Sequence, residues 1–187
     1  MQAATAAVAD IVRTLTPWDA LEHSHIAETL RWLSESDDIF RRVKPATPPR
    51  HLVSYVVLVD PNARAVLLGL HRKAGLWLPT GGHVDPGEHP LTTARRETVE
   101  EIAIDADFTV IGDTPLFLTI TTTVGIGLSH EDVSLWYVIR GDRGHEYALD
   151  PAEFTDQRWF PLTTPELPAT DPYFDRFRAK LTATLHL

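Results

Sequence analysis

The sequence predicts an α/β fold: a mixed β-sheet sandwiched between helices, an α/β/α arrangement, with an N-terminal helical extension in front of it. Two observations carry that expectation. Short apolar runs rich in valine read as strands, and they lie on both sides of a segment whose apolar residues recur at helical spacing. A further amphipathic stretch, with Phe174, Phe177, Leu181 and Leu185 on one face, closes the chain.

The elements follow in order. Residues 1–14 are rich in alanine and space Val8, Ile11, Val12 and Leu15 for a helix. Thr16-Pro17-Trp18-Asp19 reads as the next helix start, with threonine as cap, proline first and an acid at the third position. Trp18, Leu21, Ile26, Leu30 and Leu33 would be its apolar stripe, ending near Ser34-Glu35-Ser36. Lys44 to Pro49 reads as an extended linker, because proline restricts itself and the residue before it. This divides the chain into a helical extension, residues 1–43, and a main domain, residues 44–187. Leu52–Val59 is an apolar strand, Asp60-Pro61-Asn62 has turn chemistry, and Ala65–Leu70 returns, so the pair reads as a hairpin. Leu116–Thr122 alternates and stops at Gly125 and Gly127. Val133–Arg140 is another strand, and Pro172–Leu185 the last helix.

Composition excludes several classes. The 187 residues contain no cysteine, so there is neither a disulfide framework nor a thiolate metal site. The formal charge is −9 with no basic run, which argues against a nucleic acid polymer as partner. A phosphorylated small molecule would meet a repulsive background that cations and local arginines must overcome. No stretch is apolar enough to span a bilayer and no leader pattern opens the chain, so the expectation is a cytoplasmic protein without a membrane partner. The N-terminal helices would cover the sheet, cap a pocket or form a homodimer surface.

The segment richest in chemistry is Gly82–Ile104, GHVDPGEHPLTTARRETVEEIAI. Pro90 suits a first helical turn, and Leu91, Ala94, Thr98 and Ile102 form a buried stripe. Glu97, Glu100 and Glu101 then share a neighbouring face, with Arg96 one turn before Glu100. Gly81-Gly82 lets the backbone approach a ligand closely. Clustered carboxylates repel one another unless a cation lies among them, and a hard divalent ion beside phosphates is one such cation. On spacing alone, a solvated acidic helix face is an equal reading.

This segment resembles the Nudix box, G-x5-E-x7-R-E-U-x-E-E-x-G-U, with U a bulky apolar residue. Gly82, Glu88, Arg96, Glu97, Glu100, Glu101 and Ile104 match in order and spacing. Thr98 stands where an aliphatic residue is usual, and Ala103 replaces the final glycine, at a position where alanine disfavours positive φ. Trp77-Leu78-Pro79 resembles the lead-in strand of that family, while Arg158–Leu162 and Pro165-Glu166-Leu167 resemble a late strand and helix start. The resemblance implies a hydrolase that cleaves a diphosphate linkage in a nucleoside diphosphate derivative with Mg2+, or Mn2+ in its place. It implies Glu97 and Glu101 as the main metal ligands, with the Gly81 carbonyl as a third. Glu100 would be a ligand or the group polarising the water; Arg96 would orient the carboxylates, and Glu88 would brace the loop. A base from a later loop, among Asp150, Glu153 and Glu146, is an alternative to ordinary surface acids there.

His71-Arg72-Lys73 would face the phosphates or be exposed charges at a strand end, and His83 would lie near the substrate or cap its loop. His51 and His130 are each more readily structural histidines. The combination of His71-Arg72-Lys73, Gly75–Pro79 and Gly81-Gly82-His83, with His51 upstream and His130, Asp132 and Ser134-Leu135-Trp136 downstream, also resembles one sparsely characterised branch of the family. Trp77 and Trp136 would stack on a base or fill the core. For the substrate, the readings are a nucleoside triphosphate, including oxidised ones, then nucleotide sugars and ADP-ribose. A nucleotide-sensing binding module is the alternative from another class. An isomerase of the same fold lacks the cysteine that such isomerases use.

Overall fold

Eleven regular elements are seen in the computed structural model, which describes residues 2–44, 46–123, 129–163 and 167–186. They are α1 (Ala3–Thr14), α2 (Ala20–Glu35), β1 (Arg50–Asp60), β2 (Ala65–His71), β3 (Trp77–Leu78), β4 (Thr80–His83), α3 (Pro90–Ile102), β5 (Phe117–Thr123), β6 (His130–Arg140), β7 (Phe154–Pro161) and α4 (Phe174–Thr184). Strand β1 is the spine. One edge pairs in parallel with β6 along its length, from Arg50↔Glu131 to Val59↔Arg140. The other edge is shared: β4 pairs with its first half, Val53↔His83 to Val56↔Thr80, and β2 with its last residues, Leu58↔Leu67 to Asp60↔Ala65. Strand β5 lies antiparallel on β6, and β3 and β7 lie on β2, completing a mixed seven-stranded sheet.

A strand sends successive side chains to opposite faces. Val56 and Leu58 of β1 enter one core with Leu135, Tyr137 and Ile139 of β6. Val57 and Val59 enter a second core with Trp136 and Val138. Helices cover both faces: α1 and α3 contribute Val8, Val12, Ala94 and Ile102 to the first core, and α4 contributes Phe174, Phe177 and Leu181 to the second. Near-continuous apolar runs in β1 and β6 are therefore what a sheet covered on both faces requires, and the expected sandwich is the one observed. Residues 2–43 are built into it: Val8, Ala9, Val12, Leu33 and Ile39 share one core with the sheet.

Three local expectations are corrected. Asp19, not Thr16, caps α2, accepting from the Leu21 and Glu22 N–H groups. Of the expected stripe of α2, Leu33 is buried and Ile26 and Leu30 pack against the core, but Trp18 and Leu21 are exposed, and Glu22, His25 and Thr29 are buried in addition. The reason lies in the sheet. Strand β5 is an edge, and α2 lies along it: Glu22 Oε1 accepts from Leu118 N at 3.2 Å and His25 Nδ1 from Ile120 N at 3.4 Å. Unpaired edge N–H groups need acceptors, so polar side chains are buried beside the apolar ones that were expected. The linker is not extended either. Thr47 accepts from the Arg42 and Val43 N–H groups and donates back to Val43, which folds Thr47 back onto Val43; Pro45 lies outside the described residues. Gly125, Gly127, Pro165 and Glu166 also lie outside them.

The hairpin turn is held by Asp60 Oδ1, which accepts from Asn62 and Ala63 N–H at 2.9 Å each. Trp136 is fully buried, stacks on Phe177 and donates its Nε1–H to Thr119, so of its two expected uses it takes the core one.

Candidate functional site

Strand β4 and helix α3 meet where the glycines are. His89 caps α3, its Nδ1 accepting from Leu91 N, and Pro90 takes the first turn. The stripe Ala94, Thr98 and Ile102 packs into the core, which fixes the rotation of the helix. That rotation tucks Glu97 and Glu101, each 8% exposed, beneath β4 and leaves Glu100 outside with 56% of its side chain exposed. The three carboxylates are thus split two and one.

The glycines make this possible. A Cβ on Gly82 would lie 2.3 Å from Glu97 Oε1, so a side chain there would evict the carboxylate. A Cβ on Gly81, whose φ is +134°, would strike the Ser54 carbonyl oxygen at 2.2 Å. Gly81 N donates to Glu101 Oε2 at 2.8 Å, so the backbone orients the second carboxylate.

Arg96 ties the acidic side chains together. Its Nη1 donates to Glu97 Oε1 at 2.7 Å and Glu100 Oε2 at 3.1 Å, and its Nη2 to Glu88 Oε2 at 3.1 Å. Glu88 in turn accepts from Thr93 Oγ1 at 2.6 Å, which braces the loop before α3. Hydrogen bonding to Glu88 and the charges of Glu88 and Glu97 outweigh burial and hold the guanidinium above its ordinary range. Burial pushes the Glu97 carboxyl up, against the opposing charge of Arg96. Burial also pushes Glu101 up to about 8; the Gly81 N–H opposes this, and the charges of Glu97, Glu153 and Asp150 add to it. Two buried carboxylates side by side, one of them neutral at pH 7, form a donor set that fits a hard divalent cation.

The loop after β6 reaches the same place. Asp150 N donates to the Glu101 carbonyl, and Arg72 donates from its side chain to Pro151 and from its backbone to Glu153. Asp150 and Glu153 therefore stand beside the box, whereas Glu146 is exposed in the loop leading to it. His71 Nε2 lies 3.4 Å from Glu153 Oε2. Trp77 packs edge-on against Phe160 under the Arg158 guanidinium.

His83, one residue beyond Gly82, points away from the glutamates into a group with His51, His130 and Asp132. Arg41, from the segment before the linker turn, is half-buried and feels Asp132, Asp85 and Glu97. The sequence names these histidines and Asp132 together only through a resemblance; neither their meeting in space nor Arg41 is legible in it, because the residues come from four separated segments. Only the two-residue spacing of His130 and Asp132 on one strand could have pointed to it.

A family model described as the NUDIX domain matches residues 49–183. Among curated relatives, the asymmetrical bis(5'-nucleosyl)-tetraphosphatase of Rattus norvegicus is 42% identical over 64 residues, covering 33% of this chain and 41% of that protein. Its Sus scrofa counterpart is 55% identical over 68 residues, covering 36% and 40%. The chain thus spans about two fifths of the length of these relatives. Among solved structures, a binary complex of a C. elegans Ap4A hydrolase superposes with a TM-score of 0.52 at 21% identity, covering 72% of this chain and 97% of that one. At that identity the likeness is one of fold.

Proposed function

The chain belongs to the NUDIX family, and from that premise we propose that it is a divalent-cation-dependent hydrolase that cleaves a diphosphate linkage in a nucleoside polyphosphate. The observation that carries the proposal is the pair Glu97 and Glu101, buried against Gly82 and Gly81 and bracketed by Arg96.

Glu97 and Glu101 would hold the ion, Mg2+ or Mn2+. A bound dication would supply charge neutralisation on the polyphosphate and a more acidic attacking water. The residues do the rest. Arg96 holds Glu97 and Glu100 in fixed directions, and Glu88 with Thr93 keeps Arg96 in place. Glu100, exposed beside the pair, is the carboxylate open to a water and takes its proton. Gly81 and Gly82 give the backbone its close approach. Burial pushes the Glu101 carboxyl up to about 8, so an ion held there would compete with its proton, and ion affinity would fall as pH drops below about 8.

The substrate reading is a nucleoside triphosphate, including oxidised ones. A dinucleoside tetraphosphate is the second reading, favoured by the names of the mammalian relatives. Turnover of both classes, with phosphate, pyrophosphate and nucleotide products measured separately, distinguishes them. Glu97→Gln, Glu100→Gln and Glu101→Gln are expected to lose roughly 100-fold or more in turnover with folding intact. Full activity in all three would end the proposal. Nucleotide binding by calorimetry without turnover under Mg2+ or Mn2+ would favour a sensing module instead.

A further inference from the structure

One end of the sheet gathers four donors that the box does not use. His51 on β1 pairs with Asp132 on the parallel strand β6, His130 lies two residues earlier on β6, and His83 ends β4 on the other edge of β1. This register puts all four side chains on one face. Each offers a ligand atom, and these atoms lie within 4.8 Å of one another. Asp132 Oδ1 is 3.1 Å from His51 Nε2, 3.6 Å from His130 Nε2 and 3.7 Å from His83 Nε2. His51 Nε2, His83 Nε2 and Asp132 Oδ1 are buried and make no hydrogen bond, and His51 is fully buried.

The surrounding contacts orient these donors outward. His51 Nδ1 lies 2.9 Å from the Pro48 carbonyl. A carbonyl only accepts, so Nδ1 carries a proton, and in the neutral ring the Nε2 lone pair faces the cluster. Thr123 Oγ1 donates to Asp132 Oδ2 at 3.0 Å, which leaves Oδ1 facing the imidazoles. Such outer contacts are how metal-ligating histidines and carboxylates are held. As a purely protein network the cluster is poor: one carboxylate oxygen has two lone pairs for three imidazoles.

We propose that His51, His83, His130 and Asp132 bind one transition-metal dication of the zinc class, at a centre separate from the box glutamates. Imidazole nitrogen suits zinc, cobalt, nickel and iron(II) better than magnesium, which takes oxygen donors. Zn–N and Zn–O bonds of about 2.0–2.1 Å imply tetrahedral edges of about 3.4 Å, close to the three separations around Asp132. Four protein donors close the shell, so the ion holds β1, β4 and β6 together directly after Gly82. The charge of the half-buried Arg41 guanidinium acts on Asp132 of this centre as well as on Asp85 and Glu97.

The test uses the full chain, stripped with a chelator and titrated with Co2+ in excess Mg2+, which keeps the box carboxylates occupied. The expected result is one equivalent of Co2+ with the visible bands of a four-coordinate ion, displaced by Zn2+ and unchanged in Glu97→Gln and Glu101→Gln. His130→Gln and Asp132→Asn lose it, and Thr123→Val weakens it by about 10–100-fold. No stoichiometric Co2+ in the unsubstituted chain overturns the proposal, as does a signal that survives in both ligand variants or vanishes in the glutamate variants. Should the ligand variants fail to fold, the stoichiometry of the unsubstituted chain and of the glutamate variants decides alone. None of these readouts depends on hydrolysis, so failure here and failure of the hydrolase reading are separate results.

Discussion

At the scale of single residues, two small side chains decide the geometry of the box. Gly82 has no Cβ because the Glu97 carboxylate occupies that space, at 2.3 Å from where the atom would be. The end of a glutamate can swing aside. Gly82→Ala is therefore expected to fold but to lose ion binding and turnover, whereas Gly81→Ala, strained at φ +134° and driven into backbone, loses stability as well. Thermal melts alongside Mn2+ titration separate the two. Ala103 is the second case. It closes α3 in the left-handed conformation, at φ 59° and ψ 33°. The strain expected where alanine replaces the glycine of the box is thus present, and tolerated. Ala103→Gly removes it and should stabilise the protein by about 0.5–1 kcal/mol in urea unfolding.

At the scale of elements, α2 matters as the cover of a sheet edge. Its Glu22 accepts from β5, from Trp18 N at 2.6 Å and from Lys180 of α4, whose Nζ lies 2.8 and 2.9 Å from the two carboxylate oxygens. Lys180 also donates to the Thr16 carbonyl at 2.7 Å, so this buried pair is fully satisfied and locks three elements together. Removing one partner leaves the other charge buried. Lys180→Met is expected to cost about 3–5 kcal/mol, and Glu22→Gln with Lys180→Met much less than the sum of the single changes. Strictly additive losses in chemical denaturation would contradict this account. Element α3 shows the opposite case: its stripe and its start at Pro90 were legible, because a helix that packs on one face carries that face in its own sequence. The polar face of α2 was not legible, because it answers to N–H groups about 95 residues away.

At the scale of the whole molecule, stability should depend on pH through Asp171. Burial pushes this carboxyl from 3.8 to about 6, against the N–H of Tyr173 and with the charge of Asp132 adding to it. The folded state then binds more protons than the unfolded state between those values. Its contribution is full below about pH 3.8 and is lost as pH rises through about 6, by something on the order of 3 kcal/mol. Asp171→Asn removes this dependence. The stability of the unsubstituted protein minus that of the variant should fall from pH 4 to pH 7 in urea titrations, and a flat difference would refute the assignment.

The amino-acid order by itself determined the strand–helix–strand pattern, the hairpin at Asp60, and the glycine–glutamate–arginine spacing of the box. All of these are local: the partners stand within a few turns or across one tight turn, so periodicity and spacing carry them. Tertiary structure alone decided that α2 turns acid and imidazole inward, and that His51, His83, His130 and Asp132 meet. The first follows from the free edge of β5, and the second from the parallel pairing of β1 with β6, which joins residues some 80 positions apart in a register no local pattern encodes.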